Sequence, residues 1–239
     1  MTPTATIDRI LPQGPADTGL QTWEAMDPAT LVSGAPVQRG HITHERPEDG
    51  YMTGVWDCTA FTEQMGPYPV DEVMLLLQGE LFLDLPDGTT VALRARDVFV
   101  IPKGLRCQWR QPGYLHKVFM ILDGPVPEAG RSAALNRVTV PDLTMPAWSG
   151  LSHRRTDFVN AAGTVHVGVE AHTAMHLPQY PVAGDMAIHV LAGALTLGDG
   201  IREHAFAPGE TGYVQGGGVV SWQTAGQTRL LIWEYRRPA

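Results

Sequence analysis

Histidines and carboxylates gather in one stretch of the chain. VHVGVEAHTAMH (165–176) holds His166, Glu170, His172 and His176. In a strand, His166, Glu170 and His172 share parity and lie on one face. Turned inward, Glu170, His172 and His176 would offer donors to a metal, or an acid/base pair. Turned outward, they form a polar strand face at solvent or an interface, the commoner role of such clusters. A second set is Glu72 with Cys58 and Cys107. A buried Glu72 is either a carboxylate hydrogen-bonded to Tyr68 or backbone, or a general acid/base whose pKa burial raises. Cys107 shares parity with Trp109, and a thiol there is either a small buried apolar group or a nucleophile. His189 has the opposite parity to Met186 and Ile188 and should point away from their face. No C-x-x-C, no Cys/His zinc spacing and no G-x-S-x-G elbow exists. LAGALTLGDG lacks the lysine and helix of a phosphate loop.

The elements that must position these residues read as β, in two copies. Tyr68-Pro69-Val70 recurs as Tyr180-Pro181-Val182, and Asp87-Gly88 as Asp199-Gly200. VFVIPKGLRCQW matches GYVQGGGVVSW, and each copy closes on an apolar strand, KVFMI (117–121) and RLLIW (229–233). The offset stays between 112 and 114 residues, which is the mark of duplication. Asp-Gly between LFLDL and TTVAL is a hairpin signal. The run Val73 to Leu77 is apolar on both faces, so one face fills a core and the other must also be covered. Residues 1–48 read as an arm with one or two short strands wrapping the first copy. A linker, DGPVPEAGRSAAL, and lead-in strands such as RVTV (137–140) join the copies.

Bulk properties agree with a turn-rich β protein. The 239 residues are 44% hydrophobic and only 18% charged, with 26 glycines and 19 prolines. The net charge of −8 argues against nucleic acid or an anionic membrane as a partner. No signal peptide and no spanning apolar run is visible, and the expected location is cytoplasmic.

Glu72 precedes Gly79 by seven positions, and Pro102-Lys103-Gly104 supplies a P-x-G turn. With GVWDCT (54–59), YPVDEVMLLLQGE (68–80) and RDVFVIPKGLRCQW (96–109), the chain resembles the cupin superfamily. More narrowly, it resembles the small cupins grouped with ureidoglycine aminohydrolase and ethanolamine-utilisation cupins. The resemblance implies an all-β fold of two tandem cupin jelly-roll β-barrels, a bicupin. The expected domains are 1–124 (core 50–122) and 125–239 (core 164–235).

Cupins of this kind hold one divalent metal (Mn, Fe, Ni or Zn) through His-x-His and Glu of one motif and His of the next. Here only Glu72 keeps its place. Residues 65–68 supply no histidine, and Cys107 stands three after Gly104 where the last histidine belongs. In the second copy Met186 and Val220 hold the Glu and His places. No cofactor is therefore expected, with Glu170, His172 and His176 as the alternative metal set. On the alignment, Glu72 and Cys107 meet in the first barrel as a catalytic pair. Trp56, Cys58, Tyr68, Met74 and Trp109 would line a ligand there. The expected partner is a small molecule, and a homodimer is open. Three functions follow: a metal-independent protein binding a small polar organic molecule with acid/base chemistry, a metal-dependent hydrolase resembling ureidoglycine aminohydrolase, and a non-catalytic sensor or structural pseudo-enzyme.

Overall fold

The structure, a computed structural model, describes residues 3–124, 137–144 and 150–237. Most of the expected linker lies outside the described residues. The strands in chain order begin with β1 (Ile7–Ile10), β2 (Gln21–Thr22), β3 (Leu31–Gly34), β4 (Gln38–Arg46), β5 (Tyr51–Cys58), β6 (Phe61–Glu63) and β7 (Gly66–Pro67). There follow β8 (Asp71–Gln78), β9 (Glu80–Asp84), β10 (Thr90–Arg94), β11 (Val98–Ile101), β12 (Arg106–Gln111) and β13 (Leu115–Leu122). The remainder are β14 (Ser152–Val159), β15 (Val165–His172), β16 (Met175–Val182), β17 (Asp185–Gly198), β18 (Glu203–Phe206), β19 (Thr211–Val214) and β20 (Gly218–Tyr235). The fold is all-β, as the turn-rich composition and the repeat require.

The chain divides into two units, Leu11–Val140 and a second made of Met1–Ile10 with Pro141–Ala239. The first unit carries two six-stranded sheets, β11-β8-β13-β5-β4-β2 and β10-β9-β12-β6-β3, with β7 added to β12. Alternation sends Trp56, Cys58, Met74, Leu76, Phe99, Cys107, Trp109, Leu115 and Phe119 into one core. The opposite face of β8 and β13, with Val73, Leu75, Val118 and Met120, is buried as well. The expected hairpin forms between β9 and β10, where Gly88 takes φ 84° and Asp87 accepts from the Thr89 amide.

In the second unit one eight-stranded sheet, β1-β19-β17-β20-β15-β14 with β16 and β18 attached, folds round its own core. Ile188, Val190, Leu195, Leu197, Phe206, Trp222, Leu230 and Ile232 fill it. Here β17 runs 14 residues where the first unit has two strands, β8 and β9. The corner is a glycine in both. Gly79 takes φ 94° and Gly193 φ 79°, and a Cβ at Gly193 would meet the Gln227 carbonyl at 2.6 Å.

Two boundaries differ from the sequence reading. Residues 3–10 belong to the second unit. There β1 pairs with β19, Ile7 opposite Val214 and Ile10 opposite Thr211. The rest of the expected arm carries three strands: β4 pairs with β5 over its length, and β2 and β3 extend the two sheets of the first unit. RVTV does not lead into the second unit, because Thr139 bridges Val100 in the first. Edge pairing is made by backbone groups, and side-chain pattern does not announce it.

His189 lies on the outer face of β17, opposite Thr211 and Leu231, with Nδ1 2.9 Å from the Thr211 hydroxyl. Burial pushes its pKa down from 6.5 to about 4. The folded value is below the unfolded one, so the folded state binds fewer protons. The neutral ring contributes stability above pH 6.5, and this is lost as the pH falls towards 4. About 2–3 kcal/mol should disappear between pH 7.5 and 4.5. Urea unfolding at the two pH values checks this. The His189→Gln protein should lose less stability than the wild type over that range; an identical pH dependence in both would refute the assignment.

Candidate functional site

The first unit places a lysine at the centre of its barrel. Lys117 on β13 stands opposite Trp56 on β5, and Trp56 faces the core. Residues opposite each other on paired strands share a face, so Lys117 points inward as well. Its ammonium Nζ lies 2.7 Å from Glu72 Oε1 and 3.3 Å from Met74 Sδ. The same nitrogen sits 4.6 Å from the centre of the Trp56 ring and 4.9 Å from that of Trp109. Glu72 is 3% exposed and Lys117 6%, so two opposite charges are held almost out of water. Such a pair persists only because each charge is compensated by the other and by hydrogen bonds.

The indoles are themselves fixed. Trp56 Nε1 donates to Gln38 Oε1 at 3.0 Å, and Trp109 Nε1 to Gln111 Oε1 at 3.1 Å. The two rings meet edge to face, and Phe61 stacks on Trp109. Tyr68, half-buried, donates its hydroxyl to Glu72 Oε2. Glu72 thus adopts the hydrogen-bonded arrangement, one of the two expected for it. Burial first, then the neighbouring Glu72 carboxylate, pushes the Tyr68 phenol well up, so it stays protonated.

Cys58 and Cys107 face the same interior. Burial pushes both thiols up to about 11, which leaves them protonated at neutral pH. Cys107 sits in this core as a small apolar group and not as a thiolate. The expected pairing of Glu72 with Cys107 gives way to Glu72 with Lys117. Glu63, at the end of β6, also belongs here, since the Tyr68 phenol and the Cys107 thiol both feel its charge.

The second unit holds different chemistry at matching places. On β15, Glu170 stands opposite Leu230 and Gly168 opposite Ile232 of the core strand β20, so Glu170 and His172 face inward. This corrects the expected solvated or interface face. Glu170 is 7% and His172 5% exposed, and His172 Nε2 lies 3.1 Å from Glu170 Oε2. Arg154 lies 3.2 Å from Glu170 and 3.4 Å from Glu234, and Arg236 is 2.8 Å from Glu234. Burial alone would raise the Glu234 carboxyl, but the hydrogen bonds and charges of Arg236 and Arg154 outweigh it and hold the pKa below the usual range. The Tyr180 ring packs 4.9 Å from that of Trp222, and His172 5.9 Å from it. His176 is exposed on β16 and does not join Glu170 and His172.

The carboxylate has therefore changed strands between the copies. In the first unit Glu72 on β8 faces Ile121 on β13; in the second, Met186 on β17 faces Glu234 on β20. A groove of about 440 Å³ in the second unit, lined by Thr4, Gln179, Arg202 and Ser221 among others, includes none of these charged interior residues.

The donor sets do not fit a divalent metal. Among the described residues no three His, Cys, Asp or Glu side chains converge. Both oxygens of Glu72 are engaged, by Lys117 and Tyr68. In the second unit Glu170 is already bonded to Arg154 and His172, with no third donor beside them.

Comparison with known proteins follows the fold. Residues 45–119 match the EutQ-like cupin domain. No curated protein matches the sequence. A protein of unknown function of the DUF861 family from Pseudomonas syringae is 16% identical, with a TM-score of 0.72 over 96% of this chain and 99% of that one. A cupin 2 conserved barrel domain protein from Leptotrichia buccalis is 8% identical, with a TM-score of 0.63 over 90% and 98%. Ylba from E. coli, also of the DUF861 family, is 10% identical, with a TM-score of 0.55 over 100% and 95%. At these identities the likeness is one of fold. The match over residues 45–119 and the similar folds are those expected of a cupin-type protein.

Proposed function

We propose that this is a metal-independent cupin whose first barrel takes up a small polar organic molecule bearing a carbonyl or ureide oxygen. The observation that carries this reading is the Lys117 ammonium, held by Glu72 between the faces of Trp56 and Trp109. A desolvated ammonium attracts an oxygen on which negative charge develops far more strongly than it would in water. The two indoles surround the ammonium with apolar surface, and the half-buried Tyr68 stands beside Glu72. The net charge of −8 and the mostly apolar surroundings of Lys117 favour a small molecule over a nucleic acid.

Thermal shift with a panel of carbonyl and ureide compounds, combined with metal analysis, tests the reading. Ligand at about a hundred times its Kd should stabilise the wild type by about 2.7 kcal/mol. EDTA should leave that shift unchanged, and Lys117→Met should abolish it. Stoichiometric Mn, Fe, Ni or Zn whose removal abolishes ligand binding would replace this reading with the metal-dependent hydrolase. A panel without any shift would point to a non-catalytic sensor or structural role.

A further inference from the structure

Glu72 is an unsuitable proton carrier. Lys117 holds one of its oxygens and Tyr68 the other. A second carboxyl group reaches the same interior without such partners. Glu63 lies two residues after Phe61, which faces the core, so both point to the same side of β6. β6 pairs with β12, Thr62 opposite Arg110, which brings Glu63 towards Trp109. Its backbone carbonyl accepts from Gln108 Nε2 at 2.9 Å, and this fixes the strand end. The Glu63 side chain is half-buried and has no hydrogen-bond partner among the described residues. Burial raises its pKa; the Lys117 charge works against this and the Glu72 charge with it.

We infer that Glu63 carries the proton in the first barrel, and that the molecule bound there is a small carbonyl compound with an acidic C–H beside the carbonyl. This rests on the carbonyl reading of the barrel. A Glu63 carboxylate oxygen takes the α-proton. The C–H electron pair becomes the C=C bond of an enolate, and the carbonyl π pair moves onto oxygen. That oxygen lies against the Lys117 ammonium, which Glu72 keeps in place. Return of a proton from Glu63 to the same carbon restores the carbonyl compound, so the net reaction is exchange of the α-proton with solvent and no other reactant is consumed. The other titratable groups around Glu63 are Tyr68, Glu72, Cys107 and Lys117. Tyr68 and Cys107 stay protonated at neutral pH and do not compete for the proton.

The test is deuterium exchange in D2O with EDTA present, followed by proton NMR on dihydroxyacetone and pyruvate. Wild-type protein should accelerate loss of the α-proton signal of at least one of them. Glu63→Gln should slow that exchange at least ~100-fold, the usual scale of a general base. Glu63→Asp should retain part of the rate, and both variants should keep the wild-type melting temperature. Undiminished exchange by folded Glu63→Gln would remove Glu63 from its role and leave the carbonyl reading standing. No exchange by the wild type with either compound would overturn both.

Discussion

Replacing Lys117 by methionine should lower the free energy of unfolding by about 3–5 kcal/mol, because it leaves the Glu72 carboxylate buried without its counter-charge. Methionine fills nearly the same volume, so the loss reports charge and not a cavity. The deficit should shrink as the pH falls. In the variant, an unpaired buried Glu72 has a folded pKa above its unfolded one, so its protonation restores stability at low pH. Adding Glu72→Leu should recover most of the loss, since an apolar pair of similar volume often matches a buried ion pair. Tyr68 then loses its acceptor, but it is half-buried and can turn to water. Urea unfolding of the wild type, both single variants and the double variant measures the coupling directly. Additive effects of the two single changes would show that the 2.7 Å contact contributes nothing to stability.

The second large effect concerns β1. Ile7 and Ile10 are each 2% exposed, and Ile7 belongs to the core that Met186, Ile188 and Val214 share. Truncating either to alanine should cost about 2–5 kcal/mol, the range for a buried aliphatic side chain. The loss should fall on the second unit, although these residues stand at the head of the chain before the first. Hydrogen exchange followed by mass spectrometry locates it. In Ile7→Ala and Ile10→Ala, amides of β19 and β17 should lose protection while those of β5 and β8 keep theirs. Protection lost in β5 and β8 instead would mean that the first ten residues support the first unit.

The all-β fold was legible because its evidence is local and ordered. Asp-Gly hairpins, alternating strands and a repeat at constant offset each follow from short stretches of sequence. Parity placed Cys107 beside Trp109 on the inner face, and it turned His189 away from Met186 and Ile188. The Tyr68–Glu72 hydrogen bond was within reach for the same reason, since only four residues separate the two.

What the tertiary structure decided is which distant side chains meet. KVFMI reads as an apolar closing strand whose first lysine could face water. Only its register against Trp56, 61 residues earlier, turns that lysine into the barrel, and its partner Glu72 lies 45 residues away. Glu63 sits on a three-residue strand outside the recognisable motifs, and its place depends on the pairing of β6 with β12. The inward turn of Glu170 and His172 depends likewise on the pairing of β15 with β20. Sequence alone determined the alternation within each strand, because that is a property of the pleated backbone. It could not determine which strands pair in which register, because backbone hydrogen bonds are nearly indifferent to residue type and a one-residue slip exchanges the two faces. The pairing of Lys117 with Glu72 in the first unit lies in that register.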